Sequence, residues 1–251
     1  MNRIHYLRTG IFFGLALLQG CAMKPEPTFE VRHWGEMRSV MREGKTEARI
    51  QLAQAAGSGV VAVGALEKLG GEITMLGGET WVARTDSKEV SMAGPLASKH
   101  DQATLLTRAV VPQWKRVDLP LTKPTSGAQL ESYLEESASQ QGIDTTHPFP
   151  FVIEGTLEQL DIHVINGHCP HASHASHEHG ENIQPWRWSM TQPGFARVVG
   201  FYAENKSGVM THHGTKIHAH ALVEVDQRTI TGHIDGMVVQ PGAALLLPDQ
   251  K

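Results

Sequence analysis

His218 and His220, with His233 thirteen residues further on, constrain this chain more than any other feature. They lie in Lys216-Ile-His-Ala-His-Ala-Leu-Val-Glu-Val-Asp-Gln-Arg-Thr-Ile-Thr-Gly-His-Ile-Asp235. Positions 217, 219, 221, 223 and 225 are Ile, Ala, Ala, Val and Val, so one face of that run is apolar with period two. Beyond it, Ile230, Gly232 and Ile234 are apolar or small, while Thr229, Thr231, His233 and Asp235 alternate with them. A two-residue hairpin turn at Asp226-Gln227 would set His220 opposite His233 and His218 opposite Asp235. Directly opposed residues of an antiparallel pair point to the same side, with Cβ atoms about 5 Å apart. The histidines then share one face and the apolar residues form core behind them. A three-residue loop would break this agreement, because a one-residue slip turns one strand's side chains to the other face.

Three neutral imidazoles that leave a fourth position open are the ligand set of catalytic zinc. Zinc is therefore the expected ion, another divalent metal being possible on the same donors. Asp235 is placed to orient the His218 ring as a carboxylate behind the ligand. The plainer alternative is a polar sheet face that happens to be rich in histidine.

The N-terminus gives an address. Arg3 and Arg8 precede an apolar stretch from Ile11 to Leu18, followed by Leu18-Gln-Gly-Cys21, the form of a bacterial lipoprotein signal. Residues 1–20 are expected to be removed and Cys21 lipidated; the alternatives are an ordinary signal peptide or a short anchor helix. The apolar run is too short for a permanent span. Ala22, not Asp, follows the cysteine, which points to the periplasmic face of the outer membrane. Cys169 would then be the one remaining cysteine, with no intrachain disulfide. Lys and Arg number 22 against 26 Asp and Glu, a net charge of −4, and loss of Arg3 and Arg8 makes the balance more acidic. Nucleic acid is not an expected partner.

Residues 21–33 read as a tether containing Pro25 and Pro27, and 34–251 as one domain. Residues 34–55 read as helical with an interruption at Gly44. Val60–Leu66, Gly71–Leu76 and Glu79–Arg84 are short apolar runs punctuated by Gly70-Gly71 and Gly77-Gly78, a small meander. Strands are expected at Leu105–Val111, Trp114–Leu119, Phe149–Val164 (one long strand or a pair), Ala196–Ala203 and Ala243–Leu247, and a helix at Gln129–Gln140. The fold class is α+β, dominated by antiparallel sheet. Within 167–181, His168, His171, His174, His177 and His179 stand among serines, alanines and Pro170 without apolar periodicity. This is a surface loop, read either as an auxiliary metal-collecting segment or as low-complexity sequence with incidental metal affinity.

With these residues assembled, the chain resembles the bacterial α-acetolactate decarboxylases. The likeness rests on Val63-Gly-Ala-Leu-Glu-Lys-Leu-Gly-Gly-Glu-Ile-Thr-Met-Leu-Gly-Gly-Glu-Thr-Trp81, on Phe149-Pro-Phe-Val-Ile-Glu-Gly-Thr-Leu157, and on Gly200-Phe-Tyr202 followed by His218-Ala-His220, Asp226 and Gly232-His-Ile-Asp235. These run in order from about residue 34 to 240. The resemblance implies zinc held by His218, His220 and His233, acting as a Lewis acid on a small 2-hydroxy-3-oxo acid. Loss of the carboxylate would leave an enediolate stabilised by the ion, and its protonation would give acetoin. It also implies that Glu72 stands in the site as a proton donor; from its neighbours Gly70-Gly71 alone, Glu72 reads as an exposed turn residue.

Two family features have no counterpart. An arginine expected after the central strand is missing from Asp161-Ile-His-Val-Ile-Asn-Gly-His168, with Arg187, Arg197 or His163 as spatial substitutes. A glutamate expected near the C-terminus is absent from Asp249-Gln-Lys251. A three-His zinc hydrolase and a non-catalytic zinc-buffering envelope protein therefore stand beside the decarboxylase reading. Trp186 and Trp188 read as packing residues at a strand start, and His212-His213 as a polar loop or further ligands.

Overall fold

A computed structural model of the chain describes residues 28–86, 89–94, 100–167 and 184–251. The signal segment, Cys21, most of the tether, Cys169 and the five histidines between His168 and His179 lie outside the described residues.

The first half builds one seven-stranded antiparallel sheet: β1 (Val31–Trp34), β2 (Ile50–Gln51), β3 (Val60–Leu66), β4 (Glu72–Leu76), β5 (Glu79–Thr85), β6 (Val90–Ala93) and β7 (Gln102–Val110). Its order is β1-β7-β3-β4-β5-β6, with β2 also on β7. The second half builds another seven: β8 (Trp114–Asp118), β9 (Phe149–Val164), β10 (Trp186–Ser189), β11 (Gly194–Tyr202), β12 (Ile217–Val225), β13 (Arg228–Val239) and β14 (Ala244–Pro248). Here β9, β11, β12 and β13 pair in a ring, β11 along the first half of β9 and β13 along the second. Sixteen residues make β9 long enough to serve both neighbours and to carry β10 and β14 as well. The fold is mainly antiparallel sheet with few helices, as the α+β reading expects.

The sequence pattern accounts for how the layers stack. On β12, Ala219, Ala221 and Val223 join the core that α3 (Gly127–Gln140) covers with Leu130, Leu134 and Ala138. Those three recur at helical i, i+4 spacing, so one stripe of α3 is apolar and docks on the sheet. Removing the buried Leu134 side chain would cost about 2–5 kcal/mol. The opposite face of β12 turns towards the first sheet. There Leu222, Val199 and Phe201 meet Val61, Val63 and Trp81. The histidine-bearing face is therefore interior, closed between two sheets.

The 34–55 segment departs from expectation. Trp34 ends β1, so part of the expected tether and the helix start are strand, paired to β7. Only α1 (Met37–Glu43) and α2 (Leu52–Ala55) are helical. Gly44, at φ 65°, caps α1 in the left-handed conformation that glycine adopts without strain. After it the edge of β7 offers backbone partners: Arg49 N–H donates to Ala103 O and Leu52 N–H to Asp101 O. Sheet pairing there displaces further helix.

Gly232 shows how tightly the second sheet is packed. A Cβ at this position would lie 2.6 Å from the His163 carbonyl oxygen of β9, closer than backbone tolerates. Gly232→Ala should destabilise the domain by about 1–3 kcal/mol through overpacking. Denaturant unfolding of the variant measures it, and an unchanged midpoint would refute the packing argument.

Candidate metal centre

The hairpin forms with the two-residue turn. Asp226 and Gln227 have φ of 48° and 63°, the paired left-handed conformations of a type I′ turn. Val225 faces Arg228 and His220 faces His233. His218 lies two residues from His220 on the same face, opposite Phe201 of β11. The ring centroids are 5.2 Å apart for His218–His233, 5.3 Å for His218–His220 and 5.6 Å for His220–His233. One ring nitrogen from each lies within 4.8 Å of the others.

All three imidazoles are at most 8% exposed. Burial first, then the charges of neighbouring histidines, holds the His218 pKa down at about 3 and those of His220 and His233 well below 6.5. The rings are thus neutral at physiological pH, the form that donates a lone pair to a metal. Two buried nitrogens, His218 Nδ1 and His220 Nε2, have no hydrogen-bond partner. An unpaired buried polar atom costs about 1–3 kcal/mol, and a cation coordinated here would satisfy both. Behind His220, Thr74 Oγ1 lies 3.1 Å from Nδ1 and 2.7 Å from Thr231 Oγ1. With Nδ1–H donating to Thr74, the tautomer is set and Nε2 is left as the donor to a metal. The donor set fits a divalent cation.

Asp235 does not oppose His218. A β-bulge between Ile234 and Gly236 interrupts pairing with β9, and Asp235 is the extra residue. The bulge turns its carboxylate to a different ring: His163 Nδ1 lies 2.7 Å from Oδ1, and Arg187 Nη1 donates to Oδ2 at 2.5 Å. His163 is directly paired with His233, their ring centroids 5.0 Å apart. Arg187 of β10 lies in register with His163. Of the arginines considered from sequence, Arg187 thus reaches the site through Asp235. Arg197 faces Leu222 towards the hairpin turn and lines neither cavity described below.

His212 is a fifth ring, its centroid 5.1 Å from that of His233 and 6.5 Å from that of His218. It comes from the loop between β11 and β12, so no strand alternation marks it. Thr74 and Thr231 did carry a signal: each stands two residues from a candidate residue on the same strand face.

Glu72 begins β4 in the first sheet and is 4% exposed, not a turn residue at the surface. Its Oε2 lies 3.6 Å from His220 Nε2. Burial pushes its pKa up to about 8, against a hydrogen bond from the Ile165 backbone that lowers it, with Asp235 adding a smaller upward push. At neutral pH this carboxyl holds a proton. Glu72 is the one carboxylate among the described residues lining a small cavity of about 40 Å³ beside His163, His212, His218 and His233. Met37, Met41, His212 and His233 also line a neighbouring cavity of about 530 Å³.

Two antiparallel sheets packed about a three-histidine cluster, with a buried glutamate against one ring, define a class of proteins with a candidate metal site. Within that class, the sequence matches the family Alpha-acetolactate decarboxylase over residues 35–245, and the chain belongs to that family. Its fold is similar to α-acetolactate decarboxylase from Bacillus subtilis strain 168, with a TM-score of 0.62, 14% identity, and coverage of 88% of this chain and 85% of that one. Acetolactate decarboxylase from Bacillus subtilis subspecies spizizenii matches with a TM-score of 0.60 at 12% identity, over 88% and 86%. A Staphylococcus aureus protein of unknown function, described as similar to the decarboxylase, matches with a TM-score of 0.59 at 14% identity, over 86% and 84%. Comparison with curated proteins gives no match.

Proposed function

We propose that this protein is a metal-dependent decarboxylase of 2-hydroxy-3-oxo acids of the acetolactate type, forming acetoin from acetolactate. The observation that carries the reading is the juxtaposition, in a fold of this family, of three neutral buried imidazoles with a protonated carboxyl 3.6 Å from one of them. A divalent cation, zinc by the chemistry of the donors, would be held by His218, His220 and His233 and would supply Lewis-acid stabilisation of charge developing on the substrate's hydroxyl and ketone oxygens.

The other steps belong to side chains. The bond from the substrate's carboxylate to the hydroxyl-bearing carbon breaks, CO2 leaves, and the electron pair passes to the adjacent carbonyl. Glu72 gives a proton to carbon and regains one from solvent. Burial of the three rings and of Glu72 between the sheets limits the water around that charge. Asp235, tied by Arg187, fixes the His163 ring at the edge of the same space. His163 lies within β9, in the stretch where the family resemblance leads an arginine to be expected, and Asp235, bonded to Arg187, holds its ring.

Acetoin release from acetolactate, followed against the spontaneous rate, tests the reading. Metal-loaded protein should exceed the background, and Glu72→Gln should lower turnover about 10²–10⁴-fold while retaining metal. If fully metallated protein leaves the background unchanged, decarboxylation is excluded. Asp235→Asn should keep the ion but lower turnover roughly 10–100-fold, as when a hydrogen bond behind a site residue is lost.

The address forms part of the proposal. Leu18-Gln-Gly-Cys21 after a basic and apolar start supports lipidation at Cys21 and attachment to the envelope, at the periplasmic face of the outer membrane. Fatty-acid labelling should mark the wild type and not Cys21→Ser; an unlabelled wild type would remove this part.

A further inference from the structure

Imidazoles bound to one tetrahedral ion by metal–nitrogen bonds of about 2.0–2.1 Å have ring centroids about 5.2 Å apart. The separations within the cluster, 5.2, 5.3 and 5.6 Å, have that value or nearly so. A fourth ring almost continues the pattern. His212 stands 5.1 Å from His233, the spacing of two ligands on one ion, and 6.5 Å from His218, about 1.3 Å beyond it. The ring nitrogens that lie within 4.8 Å of one another are those of His218, His220 and His233. His212 therefore needs a short inward turn, not a refolding, to join them.

The loop that carries His212 is tied on both sides of it. Upstream, Gly208 N–H donates to Thr211 O at 2.8 Å, and the buried Thr211 donates its own N–H to Lys206 O. Downstream, Glu131 of α3 accepts from the Thr215 hydroxyl and from Lys216 N–H. His212 is thus confined between the fixed points Thr211 and Thr215, with its two side-chain torsions as the adjustable elements. Its neighbour turns the other way: His213 is exposed, and its Nδ1 lies 2.9 Å from Ser207 Oγ. His212 is half-buried and shares with His218, His233 and Glu72 the wall of the small cavity of about 40 Å³.

We propose that His212 is a fourth, exchangeable ligand: it occupies the position that His218, His220 and His233 leave open on the ion and yields it when a chelating substrate arrives. Structural zinc sites are closed by a fourth protein ligand, whereas catalytic ones keep that position open. One loop ligand beside three strand ligands provides both conditions in turn. His218, His220 and His233 are held by the pairing of β12 with β13 and cannot leave without breaking it. His212 lies outside the strands and can leave while the sheet stays intact. Closed, the site retains its ion more strongly; open, it admits the substrate's hydroxyl and ketone oxygens. The exchange rests on the decarboxylase reading above; the fourth ligand does not.

The test loads the metal-free full chain with one equivalent of cobalt(II), whose visible absorption is strong when four-coordinate and weak when five- or six-coordinate. X-ray absorption of the zinc-loaded chain counts the imidazoles. Four are expected in the wild type and three in His212→Ala, with zinc affinity, read by chelator competition, lower by at least about tenfold. Added imidazole should restore the wild-type cobalt spectrum to His212→Ala, which a misfolded loop would not allow. His213→Ala should match the wild type. A 2,3-dihydroxy acid chelates through two oxygens and cannot lose CO2; it should displace one imidazole from the wild type and bind His212→Ala several-fold more tightly. Identical spectra and zinc affinities for wild type and His212→Ala overturn the fourth ligand, as does a protein that binds no ion at this centre. A dihydroxy acid that leaves all four imidazoles in place overturns the exchange. The two readings fail separately. Three imidazoles in a protein that releases acetoin remove His212 and leave the decarboxylase, whereas four in a protein that releases none remove the decarboxylase and leave His212 as a ligand.

Discussion

Replacing His220 by alanine should abolish tight metal binding and reduce acetoin formation to the spontaneous rate. His220 is the most deeply buried ring of the three: its Nε2 is unpaired, and its Nδ1 is fixed by Thr74. Changing a partner behind a ligand typically costs 10–100-fold in affinity, so loss of the ligand itself should exceed about 100-fold. Thr74→Val provides the graded comparison, since it removes the partner and keeps the donor; its loss should stay within the 10–100-fold range. Metal analysis after dialysis, paired with the acetoin assay, reads both variants. Full metal content in His220→Ala would mean that the ion sits elsewhere, and the assignment would fall.

Acidification of the metal-free protein should produce the second large effect. His218, His220 and His233 are buried neutral, with folded pKa values far below 6.5. Their stabilising contribution is complete above pH 6.5 and is lost as pH falls, because the unfolded chain takes up three protons that the folded chain refuses. Glu72 acts in the opposite sense. Its pKa is raised from 4.5 to about 8, so between those values the folded chain holds one proton that the unfolded chain has released. The difference near pH 5.5 is about two protons, a slope of about 2.7 kcal/mol per pH unit. From pH 6.5 to 4.5 the metal-free domain should lose about 5 kcal/mol, a large part of the 5–15 kcal/mol that holds a typical domain. Glu72→Gln should be more stable than wild type at neutral pH without metal, since the amide does not forgo ionisation. The same variant should show a steeper acid slope. Urea titrations at stepped pH decide both points, and a metal-free stability that is flat from pH 7 to 5 would show that the imidazoles are solvated.

The candidate ligands were legible because hairpin register is local. Period-two alternation on both sides of Asp226-Gln227 determines which side chains share a face, and His220 opposite His233 follows from counting. Long strands such as Phe149–Val164 were legible for the same reason. Asp235 was assigned to the wrong ring because a bulge inserts one residue without any mark in composition, and from that point the counting fails. The helix expected across residues 34–55 failed differently. Its local propensity was adequate, but the free edge of β7 supplied backbone partners that no local pattern announces. His163 and His212 reach the cluster through pairing of β9 with β13 and through a loop return, both products of tertiary structure. Glu72 was suggested only by the family resemblance. Its surroundings in sequence read as an exposed turn, and its burial depends on how one sheet lies over the other.

The three candidate ligands fall within residues 218–233, a single hairpin closed by a two-residue turn. A hairpin of this kind closes in about 1–10 μs, long before pairings that join distant parts of a chain. The ion's donors can therefore gather while the first sheet, with Glu72 and Thr74, is still undocked. Metal availability during synthesis then bears on the order of assembly: an ion captured early would serve as a template on which β4 later closes, whereas an ion offered late must enter between two sheets already in contact.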